Sequence, residues 1–157
     1  MSSPALPTAT PESNIARLLS GPNIFLLDHL TRRINAAGHP DVRPAHGSVL
    51  AFLGRGPRRL TELASLAGLT KATINYLVDD LEHLGYVERV SDPADRRAKL
   101  IGFTPLGYAV GDVVRDELKE LEREWRRQVG SERYEVFRAV LLDLNGLFTQ
   151  ELNDDAD

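Results

Sequence analysis

Residues 60–107 read LTELASLAGLTKATINYLVDDLEHLGYVERVSDPADRRAKLIGFTPLG, and the way this stretch divides decides the fold. Leu63, Ala64 and Ala67 fall on one side of a first helix. Thr61 is placed to cap it, and Gly68 to end it, because glycine takes a positive φ at little cost. Thr70 caps a longer helix running to about Leu84, with Ile74, Leu77, Val78, Leu81 and Leu84 on its apolar face. Gly85 ends that helix. Two helices joined by a short glycine-containing turn make a helix-turn-helix. Tyr86-Val87-Glu88-Arg89-Val90 then reads as a strand and Leu100-Ile101-Gly102-Phe103 as its partner. The polar, proline-containing segment Ser91–Lys99 between them reads as a hairpin, the wing. Gly102 marks either a bulge or a close packing contact in the second strand.

Outward from this stretch the pattern is helical. Residues 1–21 read as a flexible, proline-containing tail. From Pro22, Phe25, Leu26, Leu30 and Ile34 recur at helical spacing until Gly38-His39-Pro40. Pro44 suits the first position of a short helix through Phe52, and Gly54–Pro57 is a turn. Thr104-Pro105 starts a long helix to about Val129, with Leu106, Val110, Val114, Leu118, Leu121 and Trp125 on one face. Gly130 breaks it. Ser131 caps a last helix carrying Tyr134, Phe137, Leu141, Leu144 and Phe148, and residues 153–157 form an acidic tail. The predicted fold is mainly α with a small β-hairpin wing. It is a single domain over residues 22–152, with a winged lobe at 43–104 flanked by helices at 22–38 and 105–152.

The 157 residues, 42% of them apolar, suffice for one domain with its own core. No apolar run approaches the roughly 20 residues that span a bilayer, and the N-terminus lacks a secretory pattern. There is no cysteine, so disulfides, thiolate metal sites and thiol redox chemistry are excluded. These features predict a soluble, cytoplasmic protein. The net charge of −4 is unevenly spread. Residues 1–42 are neutral, 43–104 carry +2 and 105–157 carry −6. The winged lobe is mildly basic, which permits a nucleic-acid-facing surface without requiring one.

The motifs Leu63-Ala64, Leu81-Glu82 with Gly85-Tyr86-Val87, Asp92-Pro93-Ala94-Asp95-Arg96-Arg97, and Thr104-Pro105-Leu106-Gly107 resemble the multiple-antibiotic-resistance regulator (MarR) family. The specific part is the acidic-basic wing followed, seven residues after Arg97, by a threonine-led helix. The helix order over about residues 22–152 agrees, so the resemblance covers most of the chain. It implies a homodimer held by the N- and C-terminal helices, with two winged lobes on a pseudo-palindromic double-stranded DNA. It further implies repression, relieved when a small aromatic or phenolic ligand binds between the dimerisation helices and the DNA-binding lobe.

The helix from Thr70 is then the recognition helix, since the major groove admits one helix whose first turns reach the base edges. Thr70, Lys71, Ala72, Thr73, Asn75 and Tyr76 occupy those turns. Asn75 has the donor and acceptor that select adenine, and Lys71 can reach phosphate or guanine. In the wing, Arg97 is expected in the minor groove, with Asp95 holding its guanidinium bidentately and Arg96 and Lys99 on phosphates. Arg58, Arg59 and Thr61 are candidates for fixing the lobe on the DNA backbone. The acidic pair Asp79-Asp80 departs from this pattern, and Asp80 is expected to pair with a nearby arginine or to point away from DNA.

The apolar faces of the terminal helices are too broad for a small lobe to cover. Phe25, Leu26, Trp125, Tyr134, Phe137, Leu141, Leu144 and Phe148 are therefore read as a dimer interface. His29, Arg32, Arg33 and His46 are candidates for a pocket binding a carboxylate or phenolate. An enzyme is not expected: the four histidines are scattered, without metal-ligand spacing, a phosphate loop or an activated nucleophile. No cofactor and no metal are expected. A winged-helix protein-interaction module and an architectural DNA binder without sequence preference stand as the other readings.

Overall fold

The computed structural model describes residues 14–54, 56–95 and 97–154, the stretch from 148 onward for its backbone alone. These residues form two compact units, divided after Glu117.

The first unit begins with α1 (Ile15–Ala36), seven residues earlier than the periodicity predicts. Asn14 is its N-cap, its side-chain oxygen accepting from the Arg17 amide at 3.1 Å. Pro22, read from sequence as a start signal, lies inside the helix. A proline there lacks one N–H and leaves one carbonyl without its intrahelical donor. The surrounding turn is exposed, so water can satisfy that carbonyl. The predicted tail is therefore shortened: residues 1–13 lie outside the described residues, and 15–21 are helical. Of α1 only Ile34 is buried.

A single 3-10 turn (Pro44–His46) leads into α2 (Gly47–Leu53). The two-residue strand β1 (Arg58–Arg59), not foreseen from sequence, precedes α3 (Leu60–Ala67). The helix starts one residue before Thr61, with Arg59 at its N-cap, so Thr61 lies in the first turn rather than capping it. Gly68 ends α3 with φ of 61°, the left-handed conformation expected of it. Next, α4 (Lys71–His83) has Thr70 as its N-cap, the hydroxyl accepting from the Thr73 amide at 3.1 Å.

Strands β2 (Val87–Ser91) and β3 (Lys99–Phe103) form the wing, and β1 pairs on the other side of β3 to give the antiparallel order β1-β3-β2. The β2–β3 register is continuous through the Glu88–Gly102 pair, so Gly102 is not a bulge. It is the packing alternative instead: a Cβ there would meet Pro57 Cγ at 3.4 Å.

The core forms where one face of each element converges: Val49 and Leu53 of α2, Leu63 of α3, Ile74, Val78 and Leu81 of α4, Ile101 of β3 and Val110 of α5 (Pro105–Val129) are all within 2% of full burial. Each such aliphatic side chain contributes about 1.5–3 kcal/mol of burial free energy. Thr104 ties the C-terminal end of α4 to the start of α5. Its hydroxyl donates to the Gly85 carbonyl at 2.6 Å and accepts from the Gly107 amide at 3.1 Å. Gly107 packs against the Tyr86 carbonyl, and a Cβ there would also stand 2.7 Å from Phe103 Cδ1.

The second unit consists of the later turns of α5 and α6 (Ser131–Asp154). Arg126 lies over the Tyr134 ring, 4.7 Å from its centroid, and donates twice to Glu135 Oε1, at 2.7 and 3.1 Å. Tyr134, predicted at an intersubunit face, is already 95% covered within its own chain. Val136, Phe137, Val140, Leu144 and Leu147 of α6 are exposed, Trp125 and Leu141 half-buried. The Phe148 side chain lies outside the described residues. Among the described residues no helix is long and apolar enough to cross a membrane.

Candidate nucleic-acid interface

The helical period of α4 divides its residues sharply. Ile74, Leu77, Val78 and Leu81 face the core, while Thr70, Lys71, Ala72, Thr73, Asn75 and Tyr76 are all exposed on the first two turns. Thr73 shares a 2.8 Å hydroxyl contact with Thr70, which joins both to the cap. No described residue pairs with Lys71, so its ammonium stands free beside the positive end of the helix dipole. Asn75 is not free. Its Nδ2 donates to Asp79 Oδ2 at 2.9 Å, and its Oδ1 accepts from Arg89 Nη2 at 3.3 Å.

Both members of the Asp79-Asp80 pair on α4 are ion-paired from outside the helix. Asp79 pairs with Arg89 of β2 at 2.6 Å, and Arg89 also pairs with Glu82. Asp80 pairs with Arg43 and with His46, whose Nε2 donates to Asp80 Oδ2 at 2.8 Å. The Arg43 amide donates to His46 Nδ1 at 3.1 Å, so the proton of the neutral ring is on Nε2. His46 is fully buried. Its hydrogen bond, with that of Arg43, holds the Asp80 carboxyl below the usual carboxylate range. The expected arginine partner of Asp80 is thus Arg43, 37 positions away in sequence.

The wing is anchored differently from the sequence expectation. Asp95 does not grip the Arg97 guanidinium; its Oδ1 accepts from the Arg97 backbone amide at 3.0 Å, closing a side-chain turn at the tip. The Arg97 side chain is exposed and pairs with no described residue. The bidentate guanidinium contact belongs instead to Arg59, which donates from Nε (3.0 Å) and Nη2 (2.6 Å) to Asp92 Oδ2. Asp92 Oδ1 accepts from the Ala94 amide at 2.8 Å. Arg59 first, and the Ala94 amide second, hold the buried Asp92 carboxyl low. Lys99 Nζ donates to Ser91 Oγ at 3.1 Å across the strands. Arg96 lies outside the described residues.

Of the three candidates for the DNA backbone, Thr61 is exposed. Arg58 is committed to structure, donating from Nε to the Phe52 carbonyl at 2.8 Å and pairing with Glu62. Arg59 is committed to Asp92. The side chains that sequence reasoning missed are Arg43, Arg89 and Asp92. The available signal was the acidic pair on the reading helix, which demanded arginine partners.

The proposed pocket residues fall into separate clusters. Glu117 accepts from Arg33 Nε at 2.7 Å and meets His29 Nε2 at 3.3 Å, contacts that hold its carboxyl low, Arg33 foremost. Phe25 stacks on His29 with ring centroids 5.7 Å apart. Arg32 pairs with Asp28 at 2.7 Å. His46 is elsewhere, under Asp80. A shallow cleft of about 410 Å³ lies beside it, lined by Pro40, Asp41, Arg43, Tyr76, Asp80 and Leu84.

Residues 41–98 match the model of the MarR family. The HTH-type transcriptional regulator YcgE of Bacillus subtilis, itself uncharacterised, is 35% identical over 77 aligned residues, 41% of this chain and 50% of that one. This chain spans about half the length of the curated relatives it matches. The transcriptional regulator Tm0710 of Thermotoga maritima is 27% identical over 88% of this chain and 96% of its own, with a TM-score of 0.55. The Rhodococcus jostii protein CouR, solved bound to p-coumaroyl-CoA, is 25% identical over 87% of this chain and 95% of its own, with a TM-score of 0.68. CouR, as a transcriptional repressor, has also been solved bound to a 23-mer DNA duplex. The match over the winged lobe and the likeness over nearly the whole chain agree: the chain is similar to the MarR family and has a winged helix-turn-helix fold.

Proposed function

We propose that this chain is a cytoplasmic, sequence-specific transcription regulator that binds a pseudo-palindromic double-stranded DNA as a homodimer and represses until a small aromatic or phenolic ligand binds. One observation carries the reading. The first turns of α4 expose Lys71, Thr73, Asn75 and Tyr76, while Asp79 and Asp80 behind them are ion-paired with Arg89 and Arg43. A helix so arranged can approach phosphate with its repulsion reduced and offer polar groups to base edges. Arg97 at the wing tip, which pairs with no described residue, adds a cation suited to a narrow minor groove. The DNA duplex and the p-coumaroyl-CoA seen on CouR support the partner classes. Exposed Ile15, Leu18, Leu19, Ile24 and Phe25 of α1, and the exposed apolar side chains of α6, support self-association.

The test is footprinting on the DNA flanking the protein's own gene, with and without aromatic acids, followed by a salt titration. A protected pseudo-palindrome with half-sites about one helical turn apart is expected. Affinity should fall steeply with salt while a gap between this site and random DNA persists. No DNA affinity at any salt concentration would leave a protein-interaction module, and equal affinity for all duplexes an architectural binder. Sedimentation as a monomer at micromolar concentration would remove the homodimer.

A further inference from the structure

We infer that Arg89, acting with Asp79, fixes the orientation of the Asn75 amide and so determines the base preference at one position of each half-site. This rests on the DNA-binding reading above.

An asparagine amide carries two donor hydrogens on Nδ2 and two acceptor positions on Oδ1. An unrestrained amide on a helix surface turns over readily and can present either atom to a given base edge. Asn75 lacks that freedom. Its Nδ2 is on the carboxylate of Asp79 at 2.9 Å, and its Oδ1 is on Arg89 Nη2 at 3.3 Å. The same Nη2 reaches Asp79 Oδ1 at 2.6 Å, which closes a ring of three side chains. Turning the amide over would set its hydrogens against the guanidinium and its oxygen against the carboxylate. Two bonds would be exchanged for two repulsions.

One donor and one acceptor of Asn75 stay unused, on sides that the ring has chosen. A base edge offering its acceptor and donor in the matching order is accepted, and the reverse order is refused. Arg89 is itself held. It sits opposite Ile101 in the β2–β3 ladder, and its other nitrogen pairs with Glu82 of α4. The wing strand thereby sets how the recognition helix reads. Arg89 and Asp79 are positioning residues, since neither has to touch a base to do this.

Orientation and charge are separable. Neutralising Asp79 affects every duplex alike, because phosphate attraction ignores sequence. Orienting Asn75 affects one base pair. The experiment uses the full chain and its Arg89→Lys and Asp79→Ala variants. A random duplex library first yields the wild-type half-site, and binding to each single-base-pair change is then measured by fluorescence anisotropy.

Asp79→Ala removes an exposed carboxylate and releases Asn75. It should bind random DNA more tightly yet lose roughly tenfold discrimination at one half-site position. Arg89→Lys keeps a cation, but one ammonium cannot hold Asp79, Glu82 and Asn75 together. It should lose the same discrimination, with random DNA affected less than the selected site. Circular dichroism and thermal unfolding establish that each variant is folded, and Asp79→Ala, at an exposed helix position, decides alone if Arg89→Lys is not. Discrimination kept at every position in a folded variant, or an equal loss on all duplexes, overturns the inference. A wild-type chain that selects no half-site overturns the DNA-binding reading itself, and this inference with it.

Discussion

Arg59 donates from both Nε and Nη2 to one oxygen, Oδ2, of Asp92, at 3.0 and 2.6 Å. This contact ties β1 to the residue that follows β2, at the root of the wing. The other Asp92 oxygen holds the Ala94 amide, and the Asp92 amide donates to the Ala98 carbonyl at 3.2 Å. One buried carboxylate thus organises the start of the hairpin loop.

Replacing Arg59 with Ala leaves that carboxylate covered and without its guanidinium, an arrangement that costs free energy. The loop around Asp92 should loosen while the α3–α4 core stays packed. Hydrogen exchange at Ala94, Arg97 and Ala98 should speed up relative to Leu77 and Leu81. Unchanged protection at those amides would mean that the wing holds its shape without Arg59.

Asp80, Asp92 and Glu117 are each held below the usual carboxylate range by a hydrogen-bonded partner: His46 for Asp80, Arg59 for Asp92 and Arg33 for Glu117. Each therefore binds fewer protons folded than unfolded. Their contribution is complete above the unfolded carboxyl range, about pH 4, and is lost as pH falls through it toward the folded values. Urea midpoints should drop between about pH 5 and pH 3, and Asp80→Asn should make that drop shallower. A midpoint rising on acidification would contradict the sign.

Gly107→Ala places a methyl group against the Tyr86 carbonyl and 2.7 Å from Phe103 Cδ1. Neither can retreat cheaply, as Tyr86 is buried and its carbonyl accepts from the Thr104 amide at 3.2 Å. The expected loss is about 1–3 kcal/mol, read as a lower urea midpoint with little change in slope. Gly146→Ala is the control, because among the described residues nothing lies within 4 Å of a Cβ there.

Arg97→Ala removes an exposed side chain that no described residue uses. Thermal stability should be unchanged within about 0.5 kcal/mol. Affinity for the selected duplex should fall by about 1–3 kcal/mol, and an unaltered affinity would take Arg97 out of the interface.

Helix α4 and the wing were legible because their signals are local. Thr70, three residues before the amide it caps, and the spacing Ile74-Leu77-Val78-Leu81 need no distant partner to be read. The start of α1 was misplaced for a related reason. Pro22 is a strong start signal, but Asn14 caps the helix earlier and exposed backbone tolerates the proline. β1 was invisible because two residues carry no periodicity, and its pairing is supplied by β3.

What the sequence by itself determined is the order of elements, the apolar face of each and the residues exposed on the reading helix, since these follow from helical and strand periods. What only the tertiary structure decided is the pairing of charges. Asp95 lies nearest Arg97 in sequence, yet it is Asp92 that takes a guanidinium, from Arg59. Asp80 finds Arg43 and the buried His46, and Asp79 finds Arg89. Long arginine side chains reach several carboxylates of similar sequence distance, and which one they meet depends on where folding sets the backbones. The acidic pair on α4 reads as a defect in the linear chain and becomes, once folded, the seat of two ion pairs.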